Sequence, residues 1–361
     1  GVNLDEAGLN DRKITAYGEG DPVGHGTSVI SLLAGSESAL RASEIDVATD
    51  TPAYYGLVPE ADILSYQVFA DSDTSDAFSL AAILIEAVDA GADVINMSLG
   101  GYGDNPVLRY AVDYAHERGA VVVAAAGNDG ASTVVYPAAY PNTVAVGSTD
   151  GSNRVTSFSN YGEAIDVAAP GSGVPVINAE GVSSLASGTS FSAPIVTAAI
   201  AMTLQTYPQL TPQEAAAIVI TEANDTQSAG PDIFTGEGVV NFARILDHGS
   251  QLADIAVASQ YIDRAASDPS ALQVNVVVEN RGTQYLSNVQ LEVSYEGRTQ
   301  QYYLGGLNPS ESRAQPILLN PDLLETKRST EITSQASINL RDARPENDIG
   351  HSAVVLPERA D

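Results

Sequence analysis

The chain is predicted to form an α/β domain, with a mostly parallel sheet flanked by helices, followed by an antiparallel β-sandwich. Three observations predict this. Up to about residue 247, short apolar runs of strand type alternate with helical patterns. From about Ala253 the apolar period switches to two. The 361 residues, 44% of them hydrophobic, suffice for more than one core. The two domains are expected at 1–247 and 253–357, with Asp247-His248-Gly249-Ser250 as the linker.

In order along the first domain, Ala61–Phe69, Ala92–Leu99, Ala120–Ala126, Thr143–Ser148 and Ile165–Ala169 are short, β-branched or alanine-rich runs. Such runs suit strands covered on both faces of a parallel sheet. Phe78–Ala90 and Pro106–Arg118 carry helical patterns between them. Ala193–Leu204 is apolar on all sides and predicts a buried helix, although Pro194 and Thr197 interrupt it. Thr211-Pro212-Gln213-Glu214 is a capping box with proline at the first helical position, so a helix is expected from there to about Ala223. Gly236–Asn241 closes the domain. The acidic stretch Ser36–Thr51 is the expected surface insertion. In the second domain Leu272, Val274, Val276 and Val278 alternate, and so do Val289, Leu291, Val293 and Tyr295. Turn clusters at Glu279-Asn280-Arg281-Gly282 and Asn308-Pro309-Ser310 complete the pattern of a sandwich.

Acids outnumber bases 46 to 16, for a formal charge of −30. The only lysines are Lys13 and Lys327. Such a surface repels nucleic acid and anionic membranes. No apolar run is long enough to span a bilayer. Cysteine is absent, which excludes disulfides, thiolate metal sites and a cysteine nucleophile. The chain opens on Gly1 without a leader, so its start is expected to be missing.

Three short motifs carry chemistry. Gly24-His25-Gly26-Thr27 puts an imidazole at the head of an apolar run. Gly188-Thr189-Ser190-Phe191-Ser192-Ala193-Pro194 puts a hydroxyl at the head of another. Ala126-Gly127-Asn128 follows a strand of valines and alanines and ends in an amide donor. A serine hydroxyl is a poor nucleophile until a base takes its proton, and histidine can do so near neutral pH and return it to a leaving amine. A side-chain amide can stabilise the oxyanion of a tetrahedral intermediate, and a helix starting at the serine adds a favourable dipole. A base, a nucleophile and an oxyanion donor are therefore present. A convincing acid is not: Asp5 and Asp21 are the nearest carboxylates, and each suits a surface position better.

With these motifs, residues 1 to about 246 resemble the subtilisin-like serine proteases (subtilases). Further matching segments are Gly56–Ala61, Val94–Gly100, Tyr136–Pro141, Phe158–Gly162 and Ala168–Gly171. The resemblance implies a subtilisin-like α/β fold and a serine endopeptidase acting through an acyl-enzyme on Ser190, with His25 as general base and Asn128 in the oxyanion hole. The family's acid lies in an Asp-Ser/Thr-Gly turn at the end of the first core strand. Gly1-Val2-Asn3 resembles the end of that turn, which would put the acid two residues before Gly1 and leave the first core strand outside the chain. Without an orienting carboxylate a triad loses about 10⁴ in kcat, so the chain as it stands is expected to be nearly inactive.

In the family the substrate lies as a strand between two edges, here Ser98-Leu99-Gly100 and Asp73-Thr74-Ser75, and main-chain pairing gives affinity. The wall of the first pocket corresponds to Ala124-Ala125-Ala126 with Gly127. Val135 stands where a glycine would leave a deep pocket floor, which implies preference for small or medium apolar residues over aromatics. Asp71, Asp73 and Asp76 either favour basic residues on the amino side of the cut or form a solvated loop. No cofactor is required for the chemistry. Structural calcium is compatible with the family, and Glu44, Asp46 and Asp50 are nearby acids, but no ligand spacing places a site. His116, His248 and His351 suit surface positions. Residues 253–357 resemble the Ig-like CARDB-type modules attached to secreted bacterial hydrolases, through Val278–Thr283, Leu307–Glu311 and Pro345–Asp348. The resemblance implies a secreted, monomeric bacterial enzyme acting on proteins or peptides. The alternative is a non-catalytic relative that binds through the groove or the sandwich, against which the joint presence of His25, Asn128 and Ser190 argues.

Overall fold

A computed structural model describes residues 2–4, 9, 12–18, 24–35, 56–69, 74–264, 266–267, 272–320 and 329–355. The described chain divides into two compact units, 1–220 with 233–240, and 221–232 with 241–361.

The first unit begins with β1 (Ile14–Tyr17), α1 (Gly24–Ala34) and β2 (Ile63–Tyr66). Strands β1 and β2 form a parallel pair, capped by stacked Tyr17 and Tyr66 rings at 4.6 Å. α2 (Ala77–Asp89), β3 (Val94–Met97), α3 (Pro106–Glu117), β4 (Val121–Ala125), β5 (Thr143–Thr149) and β6 (Val167–Pro170) follow. β3 to β6 make a parallel sheet in sequential order, and β2 is not part of it. Every residue of β4 and β5 is buried, as their short β-branched and alanine-rich runs predict. Asp76 and Asn105 cap α2 and α3 by accepting hydrogen bonds from the first-turn amides. Leu84, Val88, Leu108, Val112 and Ala115 of these helices pack on Val122, Ala124 and Ala145 of the sheet.

β7 (Val174–Ile177) and β8 (Ser183–Ala186) form an antiparallel hairpin, and α4 (Thr189–Thr206) follows. α4 is longer than the predicted Ala193–Leu204 and passes through Pro194. It is buried along most of its length and lies against β3, β4, β5, β6 and α1. Phe191 at its start joins Val29 and Leu32 of α1 and Val174 and Val176 of β7 in one apolar cluster. α5 (Pro212–Thr221) carries the predicted capping box, with the Thr211 amide donating to Glu214 at 2.8 Å.

The second unit contains α6 (Phe242–Asp247) and β9 (Ile255–Ile262), β10 (Leu272–Asn280), β11 (Leu286–Tyr295), β12 (Arg298–Leu307), β13 (Ser312–Leu319), β14 (Ser329–Ser337) and β15 (Ile349–Val355). All pairings are antiparallel, in sheets of order β13-β10-β9 and β12-β11-β14-β15. Val274, Val276 and Val278 share a core with Leu291, Val293 and Tyr295, the residues that set the period of two. In the turn after β10, a Cβ on Gly282 would lie 2.3 Å from the Leu252 carbonyl oxygen, so only glycine fits.

The sequence places the end of the first domain at Asp247, whereas residues 221–232 and 241–247 group with the later chain. Arg244 gives a physical reason. It is 1% exposed, as is Glu279, with which it pairs at 2.8 Å. It also faces Glu222 at 3.3 Å. A buried guanidinium needs buried carboxylates, and these bind α6 to the sandwich strands.

Candidate active site

Ser190 is the second residue of α4, and Gly188 is the N-cap. Gly188 has φ of 149°, and a Cβ there would lie 3.4 Å from Asn128 Nδ2. Glycine therefore serves both the backbone and the approach of Asn128. The Asn128 carboxamide oxygen accepts hydrogen bonds from the Thr189 amide at 2.8 Å and the Thr189 hydroxyl at 2.9 Å. The Thr189 hydroxyl oxygen also accepts from the Gly127 amide at 3.2 Å. These bonds use the oxygen of the Asn128 amide and leave its NH₂ as the outward donor. The sequence reading names Asn128 and Ser190 but misses the buried Thr189 that joins them.

Pro194 explains a second feature. A proline has no N–H, so the Ser190 carbonyl four residues earlier lacks its helical donor. The Ser98 hydroxyl supplies it at 2.7 Å. Asn96 Nδ2 donates to Ser98 Oγ at 2.9 Å, and Thr197 Oγ1 donates to Asn96 Oδ1 at 3.2 Å. Ser98, expected only on the substrate edge, thus also holds the nucleophile's backbone. The proline inside an apolar run is the sequence signal that could have revealed this.

His25 lies in the first turn of α1, and its ring is 5.7 Å from that of Phe191 at a tilt of 54°. The motif histidine and the residue after the motif serine are therefore neighbours. Although part of His25 remains exposed, burial of the imidazole lowers its pKa. A lowered pKa keeps the ring neutral, and so able to accept a proton, at more acidic pH. The Ser190 hydroxyl donates to the Ser98 carbonyl at 3.4 Å, and among the described residues no hydrogen bond joins it to His25. The Asn3 amide donates to Thr27 Oγ1 at 2.9 Å, and its side chain to the Ala179 carbonyl at 2.9 Å, which holds residues 2–4 against α1.

The predicted pocket residues converge as well. Gly101 and Tyr136 exchange backbone hydrogen bonds at 3.0 and 2.8 Å, and the Val135 amide donates to the Ala126 carbonyl at 3.1 Å. Ser98-Leu99-Gly100, Ala125 to Gly127, and Val135 are thereby joined. A Cβ on Gly100 would fall 2.4 Å from Val135 Cγ2, and one on Gly127 would fall 3.1 Å from Val135 Cγ1. The valine side chain fills the space between the two glycines. Thr74 is exposed and Ser75 half-buried, while Asp71 and Asp73 lie outside the described residues. So do Asp5, Asp21, Glu44, Asp46 and Asp50. Asp76 is spent as the α2 cap, with Ser79 as its partner. Among the described residues no group of three or more His, Asp or Glu side chains could hold a metal. His116 is exposed. His248 meets Glu222 at 2.9 Å, and His351 meets Thr333 at 3.3 Å.

Comparison with known proteins identifies the family. Residues 5–238 match the peptidase S8 model, the subtilase family, and residues 252–339 match CARDB. Thermitase of Thermoactinomyces vulgaris is 39% identical over 173 residues, which are 48% of this chain and 58% of thermitase. Subtilisin DY of Bacillus licheniformis is 34% identical over 225 residues, 61% of this chain and 77% of that protein. The chain spans about half the length of another relative, the thermophilic serine proteinase of Bacillus sp. (strain AK1), with 48% covered. Among solved structures, sphericase has a TM-score of 0.58 and 27% identity, covering 67% of this chain and 88% of its own. A cold-adapted subtilisin-like serine proteinase has a TM-score of 0.55 and 28% identity, covering 67% and 84%. The chain belongs to the subtilase family, with a CARDB module after the subtilase domain.

Proposed function

We propose that this protein is a secreted, monomeric serine endopeptidase that hydrolyses proteins through an acyl-enzyme on Ser190. The observation that carries the proposal is the Asn128 amide, whose oxygen is fixed on Thr189 beside the nucleophile, leaving its NH₂ free to donate. Ser190 Oγ attacks the scissile carbonyl carbon while His25 Nε2 takes its proton. The carbonyl oxygen becomes the oxyanion, which Asn128 Nδ2 stabilises. The proton on His25 then passes to the leaving amine as the C–N bond breaks. Water repeats the sequence in reverse and releases the acid. The lowered pKa of His25 suits a proton acceptor. An acid that orients His25 is needed for full turnover, and without one the chain would turn over slowly. Val135 between Gly100 and Gly127 supports a shallow first pocket for small or medium apolar side chains.

A serine-directed fluorophosphonate tests the reading. The expected result is a phosphonyl adduct on Ser190, found by peptide mass spectrometry and lost in Ser190→Ala. Turnover should rise by about 10⁴ when the chain carries an Asp-Ser or Asp-Thr before Gly1. No adduct in either form would favour the binding protein over the enzyme.

A further inference from the structure

One fully buried side chain near the site has no role in the mechanism above. Asn160, on the loop after β5, is 0% exposed. Its backbone amide donates to the Gly127 carbonyl at 3.0 Å. Its side-chain oxygen accepts from the amides of Asp129 at 2.9 Å and Ala131 at 3.0 Å. Its side-chain nitrogen donates to the Tyr102 hydroxyl at 3.2 Å, and that hydroxyl donates to Asp129 Oδ2 at 2.7 Å. These bonds grip the backbone on both sides of Asn128 and reach the chain just beyond the Ser98–Gly100 edge. Gly127 is shaped for this contact: its φ is 109°, and a Cβ would lie 2.2 Å from Asn160 Nδ2.

We infer that Asn160 is a positioning residue for the oxyanion donor, and that Tyr102 and Asp129 extend its grip to the substrate-binding edge. Asn128 itself is solvent-exposed, and among the described residues its side chain is held through its oxygen by Thr189 alone. The direction of its NH₂ therefore depends on the backbone at 127 and 129. A buried amide with both ends satisfied is a stiff clamp, because breaking any of its bonds strands a buried polar group. Catalytic donors act only when held within a fraction of an ångström of the developing charge. Tyr102 joins the same network from the segment that follows the substrate edge, so a peptide seated there also presses on the clamp.

This inference rests on Ser190 being a nucleophile and Asn128 its oxyanion donor. Fluorophosphonate labelling of the full chain separates the two claims. In that reaction Ser190 Oγ bonds to phosphorus, fluoride leaves, and the serine proton goes to His25 and then to solvent. The phosphoryl oxygen takes the oxyanion position. Asn160→Ala is expected to slow labelling by about 10²-fold. Tyr102→Phe, which removes one hydroxyl from a residue that is 53% exposed, should slow it by about three- to tenfold, with a thermal melt checking that the domain stays folded. Neither change should slow labelling further once Asn128 is already alanine. Equal slowing with and without Asn128, or unchanged labelling in Tyr102→Phe, overturns the inference. Failure to label at Ser190 both in the unmutated chain and in the chain that carries an Asp-Ser or Asp-Thr before Gly1 overturns the underlying reading instead.

Discussion

The two units bury polar groups in opposite ways. In the α/β unit, buried Thr189 and Asn160 spend their hydrogen bonds on the chain around Asn128 and Ser190. Their partners are backbone amides and neutral side chains, all near one end of α4. In the sandwich, several of the buried polar groups are charges with charged partners. Arg244 meets Glu279 and Glu222, and Asp254 accepts from Arg344 at 2.7 Å and Asn347 at 2.9 Å. The first arrangement leaves one donor unspent and aimed outward, as a reaction requires. The second joins charged groups to one another and holds chain segments together. Burial of polar groups alone therefore does not mark a site; an exposed donor held beside a nucleophile does.

The sharpest way to break this comparison is to remove a charge from the sandwich. Arg244→Met leaves the buried Glu279 with Arg281 alone and takes the guanidinium from Glu222, and should destabilise the second unit by about 3 kcal/mol in a urea or thermal melt. A change below about 1 kcal/mol would mean that the network is not structural. Val135→Gly tests the first unit at its pocket. It should raise cleavage after Phe or Tyr relative to Ala by about 10- to 200-fold, read as a ratio of kcat/KM on matched peptides. An unchanged ratio would place the specificity elsewhere. The smallest effect concerns Asp348. Burial, and then the charges of Asp342, Asp254 and Glu346, raise its pKa to about 7. It therefore holds its proton more tightly folded than unfolded. Its contribution to stability is full below the unfolded value near ~4 and is lost as pH rises through the folded value. Asp348→Asn should flatten that decline in melts of the second unit between acidic and neutral pH.

Much of the fold was legible because its signals are local. β4 is a continuous apolar run, α3 starts at Pro106 behind Asn105, and β10 places Leu272, Val274, Val276 and Val278 at every second position. His25, Asn128 and Ser190 were legible because each sits at the start or end of such a run. What escaped were partners that depend on packing. Asn96 and Thr197 stand 101 residues apart in sequence yet share a hydrogen bond, and nothing in either neighbourhood announces it. The grouping of α6 with the sandwich escaped for the same reason, since Arg244 looks like an ordinary surface arginine until Glu279 is beside it.

By itself the sequence determined the periods of two and 3.6, the caps, the absence of thiols and the three chemical groups at motif positions. Those depend on residues a few positions apart, whose relative placement follows from backbone geometry. Only the tertiary structure decided that Thr189 fixes Asn128, that Ser98 replaces the donor Pro194 cannot supply, and that Val135 stands between Gly100 and Gly127. These contacts join residues far apart in the chain. Their geometry is set by how helix and sheet faces pack, which no short stretch of sequence contains.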